Sequence, residues 1–257
     1  GNTEWAFPNL IQYFRKVEAD PDFPDDEFHS SEGAIVVRRF KPEEMRPDQT
    51  AFYEACREAG FPDSPDHNAP DASGVGPGPL NNPNGSRFST ALGYLNPARH
   101  RLNLTIRPNC VTRRIIFEGK RAVGVEVDSG DERFVVEAGE VILSSGAIGS
   151  PHIMLLSGVG PAGDLRQMGI PLTHDLPGVG ENLQDHLQLR LIYKVSGVKT
   201  MNSEYRSILK RVGMGLQYAL FRQGPLTMAP SHLGAFTSSS PDYETPNLEY
   251  HIQPLSL

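Results

Sequence analysis

Small side chains at the end of a short apolar run are the clearest chemical signal in the chain. Val141-Ile142-Leu143 leads into Ser144-Ser145-Gly146-Ala147, and a tract without bulky groups lets a ligand or a second backbone come close. A Val/Ile/Leu run hemmed by small residues predicts a strand buried on both faces. Ser150 is the expected N-cap of the next helix, Pro151 its first position, and His152 to Leu156 its apolar body. Ser157-Gly158 is its expected stop. Strand, small-residue turn and helix is how an α/β sheet opens a crevice toward a nucleotide-like cofactor. A βα unit that only packs has the same spacing.

Other patterns carry less. Gly158-x-Gly160-x-x-Gly163 has the letters of the dinucleotide fingerprint, whose glycines turn a strand into a helix that faces a pyrophosphate. Here an apolar helix precedes it and Pro161 interrupts it, so a helix–loop–helix junction is expected. Gly178-x-Gly180 lacks the third glycine, and Gly74-x-Gly76 runs into prolines. No GxSxG elbow offers a hydrolase nucleophile, and neither HExxH nor a carboxylate-rich cluster suggests a metal. Cys56 and Cys110 are too few for a disulfide framework and too far apart for a CxxC site. Among the eight histidines, His29, His67 and His100 lie in polar segments and are expected at the surface, while His152 is expected to pack.

The elements that must position these residues follow from patterning. A chain of 257 residues, 38% hydrophobic, can build one large domain or two smaller ones. A net charge of −7 without a basic patch argues against nucleic acid. No apolar run approaches the roughly 18 residues of a membrane span. The opening GNTEWAFPNL has no signal-peptide pattern, and a cytoplasmic setting is the default expectation.

Asn2 or Thr3 is expected to cap a helix with Trp5, Leu10, Ile11, Phe14 and Val17 on one side. A strand over residues 33–40 follows, then a helix over 46–60 with Phe52, Ala55 and Cys56 inward and Gly60 as its stop. A long Gly/Pro loop covers 62–83, and a helix covers 87–95. Residues 102–108, 112–117, 122–127 and 134–136 alternate as strands, with turns at Glu118-Gly119 and Ser129-Gly130. Residues 187–197 predict a further strand. A helix over 203–223 is expected to bury Ile208, Val212, Leu216, Ala219 and Leu220.

The ordered run SSGAIGSPHIMLLSGVGP resembles the second signature of the glucose–methanol–choline (GMC) flavoprotein oxidoreductases. GIPLTHDLPGVGENLQDH after it resembles the trailing segment of choline-dehydrogenase-like members. LTIRPNCVTRRIIFEGKRAVGVEV is similar to the family's small β-meander at the nucleotide end of the cofactor. HSSEGAI stands where the family carries an HGxxGPL segment.

The resemblance implies an α/β (α+β) fold: part of an FAD/NAD(P)-binding-type domain and part of an antiparallel-sheet substrate cap. Its expected segments are 1–85 (cap and long loop), 86–186 (middle of the FAD domain) and 187–257 (start of the substrate domain). It implies FAD as cofactor and a small-molecule alcohol as substrate, oxidised to an aldehyde or ketone by hydride transfer to flavin. Neither nucleic acid nor a membrane span is implied. Val111 and Thr112 fall at the adenine end, although an unliganded meander has the same spacing. Ser144, Ser145, Gly146 and Ala147 fall against the cofactor, and Asp185-His186 positions the chain beside it.

His232 and His251 fall on strands lining the family's substrate cavity. There an imidazole hydrogen-bonds a hydroxyl, or else is a core histidine bonded to a backbone carbonyl. Choline-type members often carry an acidic or small residue at the place of His232, which counts against a cationic headgroup. The family's N-terminal fingerprint and its C-terminal His-Pro motif are not in these 257 residues. The chain thus resembles an internal piece, inactive alone, with no catalytic residue of its own and needing the remaining segments or a complementary chain. A GMC-like hydroxynitrile lyase and a non-catalytic half are the alternatives.

Overall fold

The computed structural model describes residues 2–24, 26–70, 72–229 and 231–256. They form two compact units, Gly1–Arg101 with Leu191–Leu257, and Leu102–Arg190.

Asn2 caps only a 3-10 turn, its Oδ1 accepting the Glu4 N–H at 3.3 Å, and the helix proper, α1 (Phe7–Val17), begins after it. β1 (Glu18–Ala19) pairs in parallel with β2 (Ile35–Val36). The strand expected over 33–40 shrinks to β2 and one bridge, Arg38 to Leu80. α2 (Pro47–Glu58) ends before Gly60, whose φ of +92° only glycine adopts freely. Its Cys56 and Phe52, one helical turn apart, pack against Val75, Leu233 and Ala235. Ala55 is exposed and Gln49 is buried in its stead.

β3 (Gly74–Pro77) lies inside the expected loop, a strand that turn-rich composition concealed. A Cβ on Gly76 would sit 1.7 Å from the Ser64 carbonyl oxygen, and one on Gly74 2.1 Å from that of Pro62. These glycines serve backbone approach, not phosphate binding. Residues 91–95 make a π turn that runs into α3 (Asn96–Ala98).

In the second unit, β4 (Val111–Glu118), β5 (Arg121–Ser129) and β6 (Glu132–Glu137) form the expected antiparallel meander, burying Ile115 and Val127. Gly119 and Gly130, both at φ +60°, turn the hairpins. Residues 102–108 are not a strand, and Leu102 is fully exposed. Nor are 141–143: Ile142 is 79% exposed, because the segment has no ladder partner among the described residues. α4 (Gly146–Leu156) starts before the expected cap, so Ser150 and Pro151 lie inside it. β7 (Val159–Gly160) and β8 (His174–Asp175) pair in parallel around α5 (Ala162–Gln167), which buries Leu165.

The chain returns to the first unit through 187–197, where no strand or helix forms. α6 (Met201–Tyr205) and α7 (Ile208–Phe221) divide the helix expected as one, with Ser207 capping α7. The apolar stripe of α7 is exposed rather than core. β9 (Leu233–Thr237) lies between β3 and β10 (Leu248–His251) in an antiparallel sheet. Among the described residues, no helix is long and apolar enough to cross a membrane.

Candidate functional site

The residues expected against a cofactor sit at the open end of α4. Its other end is pinned. Ser157 Oγ accepts the buried Ile115 N–H of β4 at 2.8 Å and donates to the Ile153 carbonyl at 2.5 Å. Gly158, at φ +80°, has no room for a Cβ, which would meet the Pro171 carbonyl oxygen at 2.2 Å. At the N-terminal end, Ser144, Ser145, Gly146 and Ala147 are exposed. The Ser145 N–H donates to Ser150 Oγ at 3.0 Å. Gly146 lies at φ +84°, and a Cβ there would meet nothing within 4 Å. At Gly146 a side-chain-free backbone therefore faces open space beside the partial positive charge of a helix start. That arrangement fits a phosphate-bearing nucleotide cofactor.

Val111 and Thr112 open β4, Val111 exposed and Thr112 half-buried. Among the described residues, no hydrogen bond joins them to 144–147.

In the first unit the two histidines expected on the substrate side are not brought together. His232 is 1% exposed, and its ring stacks on Phe40 with centroids 3.6 Å apart and an interplanar angle of 8°. Neither ring nitrogen has a hydrogen-bond partner among the described residues, so the expected backbone carbonyl is not there. Burial, and next the Arg38 guanidinium, push its pKa down to about 4 against the opposing pull of Glu44. The ring is neutral near pH 7. His251 instead stands on the edge strand β10, half-exposed, with Nε2 2.9 Å from Glu249 Oε1.

His29, expected at the surface, is 2% exposed and centres a buried ionic network. Its Nδ1 lies 2.6 Å from Glu18 Oε1 and its Nε2 2.9 Å from Asp66 Oδ2. Arg39 spans Asp20 and Asp66 at 2.6 and 2.8 Å, while Lys41 holds Asp22 at 2.7 Å. Burial opposes charge on His29, but the hydrogen bonds to Glu18 and Asp66 outweigh it and raise its pKa. Ligating atoms of Glu18, Asp20 and His29 lie within 4.8 Å of one another. With Arg39 and the imidazolium as counter-charges, these carboxylates are already paired, so the cluster is structural. Only the closeness of Glu18 to Asp20 hinted at it, since the remaining members are far apart in sequence. His67, also expected outside, is half-buried with Nε2 2.9 Å from the Gly76 carbonyl.

The fold is that of a mixed α/β chain with antiparallel sheets. The GMC oxidoreductase family profile matches residues 1–188, and the chain belongs to that family. It is 39% identical to the oxygen-dependent choline dehydrogenase of Pseudomonas putida, over all of this chain and 46% of that protein. The chain thus spans about half the length of the curated relatives it matches. Pyridoxine 4-oxidase from Mesorbium loti is similar in structure, with a TM-score of 0.68 at 33% identity over 72% of this chain and 36% of that one. An FAD-dependent oxidoreductase from Chaetomium thermophilum matches with a TM-score of 0.77 at 27% identity, over 93% of this chain and 44% of that one.

Proposed function

We propose that the chain is part of an FAD-dependent enzyme that oxidises an alcohol to an aldehyde or ketone. The observation that supports this is the open backbone at Gly146 within the exposed stretch 144–147, in a chain whose family relatives include FAD-dependent oxidoreductases. When bound, the flavin supplies the hydride acceptor, which no amino-acid side chain can replace.

The chain's own share is binding and orientation. The exposed backbone of Ser144, Ser145, Gly146 and Ala147 lies against the cofactor, and Val111 and Thr112 hold its adenine end. His232, neutral and fixed by its stack on Phe40, is one substrate-side group. His251 is a second substrate-side group. We assign no catalytic base to these residues.

Protein made from the complete reading frame is expected to be yellow and to bleach anaerobically when an alcohol substrate is added. Gly146→Val, a β-branched residue at positive φ, is expected to lower flavin content at least about tenfold. A colourless product from the wild-type frame ends this reading. Release of aldehyde and cyanide from a cyanohydrin, with the flavin oxidised throughout, replaces it with the lyase.

A further inference from the structure

On α7, Ser207 caps the first turn, and Met214, Gly215 and Tyr218 are half-buried. Ile208, Val212, Leu216 and Leu220 recur at four-residue steps and share the opposite face with Leu209. These five side chains are 56–85% exposed. Helices in proteins draw most of their stability from burying such a stripe, and here it is left in water.

The charge around the stripe is one-sided. From Leu191 to Ser240 the chain carries Lys194, Lys199, Arg206, Lys210, Arg211 and Arg222 against one carboxylate, Glu204, although the net charge of the protein is −7. Glu204 is itself engaged, 3.3 Å from Arg46. The cations on and beside α7 (Arg206, Lys210, Arg211 and Arg222) are all exposed. Among the described residues, none of the four lies within ion-pair distance of a carboxylate; Arg211 and Arg222 lie instead over the Tyr205 and Tyr218 rings, at 5.4 and 4.8 Å. Spread along the chain, they form no dense basic run in the sequence. Lys210 and Arg211 stand in the opening turn of the helix, where the dipole favours carboxylates and the sequence supplies none. Their placement does not serve the helix.

An aliphatic stripe with free cations around it is the pattern of a helix lying in the interface of an anionic bilayer. A protein partner fits less well, because protein interfaces centre on aromatic anchors, and the five side chains of this stripe are all aliphatic. We infer that α7 docks the protein on an anionic lipid surface. The stripe enters the acyl boundary, and the long side chains of Arg206, Lys210, Arg211 and Arg222 reach the headgroup phosphates. With 14 residues against the roughly 20 of a span, the helix lies on the bilayer and does not cross it. The inference uses neither the 144–147 opening nor a flavin, so it stands apart from the redox reading.

The test is co-sedimentation of the full-frame protein with vesicles of equal phosphatidylglycerol and phosphatidylcholine, and separately of phosphatidylcholine alone. Leu209→Ser with Leu216→Ser removes aliphatic surface, and Lys210→Gln with Arg211→Gln removes charge. The expected result is binding to the anionic vesicles that is at least about tenfold weaker on the neutral ones and in each double variant. High salt should release the protein, since it screens phosphate–cation attraction, while Lys120→Gln on the β4–β5 turn should change nothing. No binding to anionic vesicles, equal binding to both vesicle types, or undiminished binding by either double variant overturns the inference. So does a leucine variant that melts well below the wild type, which shows the stripe packed under the rest of the polypeptide. A leucine variant that turns a dimer into a monomer by light scattering overturns it too, in favour of a second copy.

Discussion

The imidazole of His29 is flanked on both nitrogens by carboxylates, and its burial makes that pairing consequential. Its raised pKa means that its contribution to stability is complete below the unfolded value of about 6.5 and is lost as pH climbs through the elevated folded value. Asp66 has the opposite sign. Burial pushes its pKa up, but the Asn68 N–H, His29 and Arg39 hold it below the usual range. Its contribution is therefore present above about pH 3.9 and fades as pH falls through the depressed folded value. His29→Gln, which breaks a buried pair, is expected to cost about 3–5 kcal/mol. Thermal melting of both proteins from pH 4 to 9 should show the widest gap between about pH 4 and 6.5, narrowing at higher pH. A gap that widens above pH 7 contradicts a charged His29.

At the scale of elements, α4 and the meander are joined through one hydroxyl. Ser157→Ala strips the buried Ile115 N–H of its acceptor and should cost about 1–3 kcal/mol. Urea denaturation gives the size, and hydrogen exchange at the Ile115 amide locates it. An unchanged midpoint with full protection at Ile115 excludes the link. The meander itself was legible because each hairpin turns on a local glycine signal between alternating residues, and α2 because Gly60 stops an amphipathic run. β3 was not legible. Its glycines and prolines resemble loop composition, and its strand character comes from β9, more than 150 positions away, and from the carbonyls of Pro62 and Ser64.

At the scale of the whole molecule, much apolar surface is in water. Leu187, Leu189 and Ile192 are exposed along 187–197, as are Ile208, Val212, Leu216 and Leu220 on α7. The 257-residue chain produced by itself is expected to bind the dye ANS strongly and to melt over a broad range, since large exposed apolar patches are sticky and add no burial to stability. A monomer with a sharp transition and no dye binding contradicts this.

By itself the sequence determined the family, the meander, the Gly60 stop after α2 and the small-residue tract at 144–147, because each is written in neighbouring residues whose turn, cap or steric preferences act locally. Only the tertiary structure decided that His29 is buried among carboxylates, that His232 lies stacked on Phe40 without a partner, and that 102–108, 141–143 and 187–197 are not strands. Burial, pairing and charge compensation are supplied by residues distant in sequence. Alternation can propose a strand, but a ladder exists only where a second backbone lies alongside.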